Sequence, residues 1–186
     1  MDPTIPLVVP EVNADSIGTN NLIANPNCTT SIAAVVLWPI HRELGLRRVI
    51  MSTYQAASGA GNPAMNELKE ATRARLDGQS FIPKEFRHNL AFNLIPHIDS
   101  FRDNGYTKEE MKVTDELRKI MGTPELPIEC TAVRVPILRA HSKSFTVETE
   151  QKFVPDQIRE ILAQSPGVEL RDNPGECEYP MPLGVE

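Results

Sequence analysis

Apolar positions along the 186-residue chain change their repeat from segment to segment, and those changes mark out the elements. Between Thr29 and Leu44, the residues Ile32, Val35, Val36 and Ile40 recur near helical spacing, and Asn27, in "NPNCTT", stands where a side-chain oxygen can cap the first turn. A helix is predicted there, with Pro39 expected to kink or divide it around Trp38, because proline lacks an N–H and crowds the preceding turn. The β-branched and aromatic run "RRVIMSTYQ" predicts a strand that stops at the glycine-rich bend "SGAGNP". Pro63 suits a first helical turn, so "AMNELKEATRARLDG" predicts a second helix that ends at Gly78.

From Gln79 to Asn104 no period holds, which predicts an extended connection with room for one strand. Thr107 and Glu110 then form a T-x-x-E capping box, and Val113, Leu117 and Ile120 share one face of a helix before Gly122. "PIECTAVRVPIL" and "SKSFTVETEQKF" read as two long strands joined near "RAHS", followed by a helix in "PDQIREILAQSPG" and a strand in "VELR". Residues 1–20, rich in Pro, Asn and Asp, form a lead-in segment in which "PLVV" is a short strand. Strands here often follow strands instead of alternating with helices. The expected fold class is therefore α+β, a mixed, largely antiparallel sheet with helices on one face. No repeat, low-complexity tract or linker interrupts the chain, so residues 1–186 are expected to form a single domain, long enough to bury roughly 70% of its unfolded surface.

A formal net charge of -6 and a pI near 5.3, with scattered Lys and Arg, leave no basic surface for nucleic acid. The longest apolar run, "IAAVVLW", falls far short of the ~20 residues that cross a bilayer, and "MDPTIPLVVPEVN" lacks a basic lead and a cleavage site. A soluble, cytoplasmic protein without membrane or nucleic-acid partners is expected. Cys28, Cys130 and Cys177 include no CxxC pair and the four histidines no HxxxH pair, so neither a disulfide framework nor a metal site is predicted.

Cys28 is the residue whose placement raises a chemical question. A cysteine of ordinary pKa, about 8.5, is only a few per cent thiolate at neutral pH, and the thiolate is the nucleophile. With Asn27 as cap, Cys28 lies in the first helical turn, where free N–H groups and the helix dipole favour an anion. The dipole contributes about 0.3–1 kcal/mol. A reactive Cys28 therefore needs a base or cation supplied by the fold, and His141, beside the turn between two predicted strands, is the best placed of the histidines. The alternatives are a structural cysteine and a hydrogen-bonded surface histidine. In "CTAVRVPIL", Ala132, Arg134 and Pro136 share one side of a strand, so Arg134 either faces solvent or holds an anion bidentately. Glu109 and Lys112, three apart on a helix, are a surface ion pair or a pair that reads a zwitterion. "SGAG" is too short for a dinucleotide-binding loop, and no GxGxxG follows a strand.

Five ordered blocks, "NPNCTTSIA", "STYQAASGAG", "FNLIPHID", "GYTKEEMK" and "RVPILRAHS", closely resemble aspartate-semialdehyde dehydrogenases. The likeness runs from about "VVPEVN" to "FTVET" and is to the family's catalytic and dimerisation domain, of the kind shared with glyceraldehyde-3-phosphate dehydrogenase.

That resemblance implies an NADP-dependent oxidoreductase converting L-aspartyl-4-phosphate to L-aspartate 4-semialdehyde and phosphate, in lysine, methionine and threonine biosynthesis. It implies Cys28 as the nucleophile forming a thioacyl enzyme, His141 as general acid and base, and Gln55 as the group orienting the acyl intermediate. By the same likeness Arg134 holds the substrate carboxylate, Glu109 its amino group and Lys112 the phosphate, while Ser58 and Gly59 touch the nicotinamide cofactor. A homodimer or homo-oligomer through the sheet is implied as well. The family's glycine-fingerprint nucleotide-binding domain has no counterpart in these 186 residues, so the chain is expected to be a fragment of a longer two-domain enzyme, inactive by itself. The competing expectations are a related N-acetylglutamyl-phosphate reductase and a non-catalytic dimerisation or anion-binding module. An intact Cys28, Gln55 and His141 set speaks against the module.

Overall fold

The structure, a computed structural model, describes residues 4–185. Its contacts divide the chain into two compact units. The first comprises the residues up to Met51 with Met111–Cys130 and Phe145–Tyr179, and the second Ser52–Glu110, Thr131–Ser144 and the segment from Pro180. Among the described residues, five α-helices, α1 (Pro10–Asn13), α2 (Cys28–Leu44), α3 (Gly61–Leu76), α4 (Lys108–Met121) and α5 (Pro155–Ala163), accompany three strands, β1 (Leu46–Gln55), β2 (Ile128–Arg134) and β3 (Ser142–Thr149). The strands form one sheet in the order β2-β1-β3. The fold class is α+β and the sheet is mixed. β3 runs antiparallel to β1, as the flanking bonds Glu150 N–H to Gly45 O and Gln151 N–H to Leu44 O show. β2 runs parallel to β1, with Val49 N–H donating to Pro127 O and Val135 N–H to Gln55 O. Parallel pairing needs a long crossover, and α3, the connection after it and α4 supply one.

In the first unit, Asn27 Oδ1 accepts the N–H groups of Thr29 (2.8 Å) and Thr30 (3.3 Å), so α2 starts under the predicted cap. Gly45, at φ 67°, ends it with its N–H on His41 O. The buried face of α2 is Ala33, Ala34, Leu37, Ile40 and Leu44, packed with Val49 and Met51 of β1, Val113 and Leu117 of α4, and Ile128 and Cys130 of β2. Phe145 and Val147 of β3 and Ile158 and Ile161 of α5 pack at its margin. Two alanines and three larger aliphatic residues thus make the contact, while Ile32, 43% exposed, lies with Val35 and Val36 along a cavity of about 520 Å³ that Val8, Val9 and Val168 also line.

Three local expectations are corrected. Of the kink or division expected at Pro39, the division is what is corrected: α2 is continuous from Cys28 to Leu44. The lost hydrogen bond and the crowding of the ring against the preceding turn, together about 3 kcal/mol, are outweighed by the apolar face buried on both sides of Pro39. "PLVV" makes only the isolated bridge Leu7–Ala24, because Pro10, at the first helical position, turns the backbone into α1. "VELR" makes no strand: its polar groups are held locally, Arg171 on Glu169 at 2.8 Å and Val168 N–H on Ser165 O.

In the second unit, a 3-10 turn (Ala57–Ala60) leads into α3, whose Met65, Leu68 and Ala71 pack with Ala57, Leu90, Ala91 and Ile95. Residues 77–107 carry no helix or strand, only the isolated bridges Ile95–Arg134 and Phe101–Thr107. Thr107 and Glu110 close the expected box at the start of α4: Thr107 N–H donates to Glu110 Oε2 at 2.7 Å and Glu110 N–H to Thr107 Oγ1 at 3.3 Å. Among the described residues, no helix is long and apolar enough to cross a membrane.

Candidate active site

The C-terminal end of β1 and the peptide after it are the hub of the second unit. Alternation along β1 turns Val49, Met51, Thr53 and Gln55 inward. A polar residue brought inside by that period must find partners. Gln55, 2% exposed, finds two: its Oε1 accepts from Thr53 Oγ1 at 2.9 Å and its Nε2 donates to Glu109 Oε1 at 3.0 Å. Glu109 is 6% exposed, so the amide holds a buried carboxylate at the first turn of α4, where the helix dipole also favours negative charge. Glu110, next along, accepts Ala132 N–H with its other oxygen at 3.0 Å and ties that turn to β2.

Arg134 lies on the inward side of β2 with Cys130 and Ala132 and is 7% exposed. The solvent-facing alternative for this arginine is therefore overturned, because the strand's alternation turns it inward. Its Nη1 donates to Ala56 O at 2.7 Å, and its guanidinium carbon lies 5.9 Å from the centroid of the Phe86 ring. The N–H of the same residue, Ala56, donates to His141 Nδ1 at 3.0 Å. The backbone of one residue thus orients an arginine with its C=O and an imidazole with its N–H, through the two peptides on either side of the Ala56 Cα. Because Nδ1 accepts, the neutral ring carries its proton on Nε2. Burial pushes the His141 pKa below the ordinary histidine value, and the positive charges of Lys143 and Arg134 push the same way. The backbone hydrogen bond to Ala140 and the Glu109 charge oppose them. The net result favours neutral imidazole.

Gly59 completes this cluster by what it lacks. A Cβ there would stand 2.8 Å from Arg134 Nη1 and 3.3 Å from His141 Nε2, so only glycine leaves both tips their space. Ser58, half-buried, donates its N–H to Leu138 O at 2.9 Å. The second unit therefore holds Gln55, Ser58, Gly59, Glu109, Arg134 and His141.

Cys28 and Lys112 belong to the first unit. Cys28 is exposed at the first position of α2, flanked by fully buried Thr29 and Thr30. Asn27, which caps that turn, has its own N–H bound to Glu116 Oε2 at 2.8 Å. Lys112 is half-buried on α4, one turn beyond Glu109. Glu116, Thr53 and Ala56 escaped the sequence reading. Glu116, between Val113 and Leu117 on an otherwise apolar face, was the visible anomaly, whereas a backbone donor such as Ala56 leaves no trace in sequence. Among the described residues, no group of three or more His, Cys, Asp or Glu is placed to hold a metal ion.

Residues 37–186 match the family profile described as semialdehyde dehydrogenase, dimerisation domain. The chain belongs to that family. Aspartate-semialdehyde dehydrogenase of Aquifex aeolicus is 47% identical over 191 residues, spanning all of this chain and 56% of the relative. The Bacillus subtilis enzyme of the same name is 46% identical over 98% of this chain and 55% of its own. The crystal structure of aspartate semialdehyde dehydrogenase II from Vibrio cholerae, complexed with ASA, superposes with a TM-score of 0.93 at 39% identity, over 99% of this chain and 55% of that one. The chain spans about half the length of the curated relatives it matches. The α+β architecture is the glyceraldehyde-3-phosphate dehydrogenase-like one expected for semialdehyde dehydrogenases.

Proposed function

We propose that this chain is the catalytic and dimerisation domain of an NADP-dependent aspartate-semialdehyde dehydrogenase, a reductive dephosphorylation of L-aspartyl-4-phosphate on the route to lysine, methionine and threonine. The observation that carries the reading is the Ala56 hub: a buried arginine and a histidine meet the backbone of Ala56, and the side chain of its neighbour Gln55 holds a buried carboxylate. That combination suits a small amino-acid substrate, since Arg134 matches an α-carboxylate in fork geometry and Glu109 an ammonium.

In this reading Cys28, as thiolate, attacks the acyl carbon, the C–O bond to phosphate breaks, and a thioester forms with phosphate leaving. The thiolate is a better nucleophile than water and a better leaving group than hydroxide, so one difficult displacement becomes two easier ones. Gln55 orients the acyl group, Lys112 neutralises the departing phosphate, and His141 moves the proton, its Nε2 edge being the one turned toward Gly59. Arg134 and Glu109 hold the amino-acid end still while the other end reacts. Ser58 and Gly59 would lie against the nicotinamide, and NADPH when bound would supply the hydride by which the thioester becomes aldehyde, with the C–S bond breaking and the Cys28 thiolate regenerated.

Dimerisation belongs to the same reading. The outward residues of β1 include Ile50, 37% exposed, and Tyr54, 42% exposed, a half-apolar stripe that a second copy would cover.

The test is phosphate-dependent reduction of NADP by the full-length polypeptide given L-aspartate 4-semialdehyde, with a Cys28→Ala variant alongside. Turnover that the variant loses is expected. A folded polypeptide inactive on this substrate but active on N-acetylglutamate semialdehyde would move the assignment to the related reductase, and inactivity on both would favour a binding module.

A further inference from the structure

Glu67 is a buried acid outside the cluster described above. It lies on α3, 7% exposed, among the apolar residues Ala64, Met65, Leu68 and Ala71. A charge in that setting must be compensated, and Glu67 is compensated by backbone alone. Its Oε2 accepts the N–H groups of Lys84 at 2.5 Å and Glu85 at 2.7 Å, and its Oε1 accepts that of Phe86 at 3.2 Å. Three successive donors from a segment without secondary structure are gathered on one carboxylate. Nothing regular otherwise dictates the path of residues 84–86. The last of the three is Phe86, whose ring stands against the Arg134 guanidinium at 5.9 Å from ring centroid to Cζ. Glu85, Phe86 and Arg134 also share the wall of a cavity of about 170 Å³ with Ile95 and Ile98.

We propose that Glu67 is a positioning residue for substrate-carboxylate recognition: by clamping residues 84–86 it holds the Phe86 ring against Arg134 and fixes the plane in which the guanidinium is presented. This rests on the reading of Arg134 as the carboxylate-binding group. An arginine has five donors in a rigid fork, and bidentate binding depends on the orientation of that plane. Ala56 O holds one arm of the fork at 2.7 Å, and the Phe86 ring supplies a second constraint. Glutamine at position 67 keeps size and shape but has one acceptor oxygen, and its NH₂ would face a backbone N–H. At least one of the three donors would then lose its partner and the clamp would loosen.

The experiment is steady-state kinetics of the full-length polypeptide with L-aspartate 4-semialdehyde, phosphate and NADP, comparing Glu67→Gln and Phe86→Leu with the unaltered protein. The expected result is a KM for the semialdehyde raised about tenfold in both variants, with kcat within about twofold and the KM for phosphate unchanged, since only one substrate presents a carboxylate to Arg134. In an Arg134→Lys background Glu67→Gln should add little, because the residue through which it acts is gone. Unchanged kinetics with a lowered melting temperature would reduce Glu67 to a structural brace, and an equal rise in both KM values would also overturn the proposal. If Glu67→Gln does not fold, Glu67→Asp decides, since it keeps both acceptor oxygens but draws them back from the N–H groups of residues 84–86: a raised KM for the semialdehyde alone supports the clamp, and an unchanged one overturns it. Should the unaltered polypeptide show no turnover, it is the functional reading that has failed. A crystal structure of this chain carrying Glu67→Gln then tests the clamp: Phe86 displaced from Arg134 supports it, and an unmoved ring overturns it.

Discussion

Gln55 and Glu109, 54 positions apart in sequence, meet at 3.0 Å inside the second unit, each less than a tenth exposed. The amide is the donor to a carboxylate that burial would otherwise penalise. Replacing Gln55 by Leu should remove that donor and destabilise the chain by about 1–3 kcal/mol, the cost of an unsatisfied buried acceptor. Gln55→Glu should be worse, because two carboxylates in one site cannot both ionise without strong repulsion. Urea denaturation at pH 7 and pH 5 tests this: Gln55→Glu should recover stability at the lower pH, and a variant as stable as the parent at pH 7 would contradict the arrangement.

His141 carries a pH prediction with a definite sign. Its folded-state pKa is lowered, first by burial and then by Lys143 and Arg134. Its contribution is therefore present above the unfolded value, about 6.5, and is lost as pH falls through that value toward the folded one, because the unfolded chain binds the proton more readily. Denaturation midpoints measured from pH 8 to pH 5 should fall more steeply for the parent than for His141→Asn. Parallel curves would show that the imidazole is not held neutral. Nitrogen chemical shifts provide a second check, with Nδ1 expected in the unprotonated range near neutral pH.

Gly59→Ala should separate chemistry from folding. Gly59 has an ordinary φ, so the added methyl group strains no backbone, but it arrives 2.8 Å from Arg134 Nη1 and must displace that tip and crowd His141. Full-length enzyme carrying the change is expected to lose about 10–100-fold in kcat/KM, the scale of a misplaced catalytic geometry, while stability moves by about 1 kcal/mol or less. Activity within a factor of two of the parent would count against the site.

Thiol labelling ranks the three cysteines. Cys130, 2% exposed in the first unit's core, should react slowly whatever its chemistry. Cys28 and Cys177 are both exposed, so any difference between them reports environment and not access. Iodoacetamide followed by peptide mapping should modify Cys28 faster than Cys177, and Asn27→Ala, which uncaps α2 at a cost of about 0.5–2 kcal/mol, should narrow the gap. Equal rates in the parent would make Cys28 an ordinary surface thiol.

The outward face of β1 predicts assembly. Tyr54→Glu and Ile50→Lys place charges on the stripe proposed to meet a second copy, and sedimentation should show a shift from dimer toward monomer. A parent chain that sediments as a monomer at micromolar concentration would remove the basis for that interface.

Wherever chemistry is local, the sequence determined the outcome. The Asn27 cap, the Thr107–Glu110 box, the stop at Gly78 and the strand over "RRVIMSTYQ" all depend on residues a few positions apart, and each stands as the sequence predicts. The five ordered blocks likewise carried the family. Tertiary structure decided what depends on distant neighbours. Pro39 stays within a helix because both flanks are packed, "VELR" finds no ladder, and Arg134 points inward to an oxygen 78 positions away. The partners that matter most to His141 and Glu67 are backbone N–H groups, which every residue but proline carries. No sequence pattern distinguishes one from another; only the fold brings the chosen donor to the side chain.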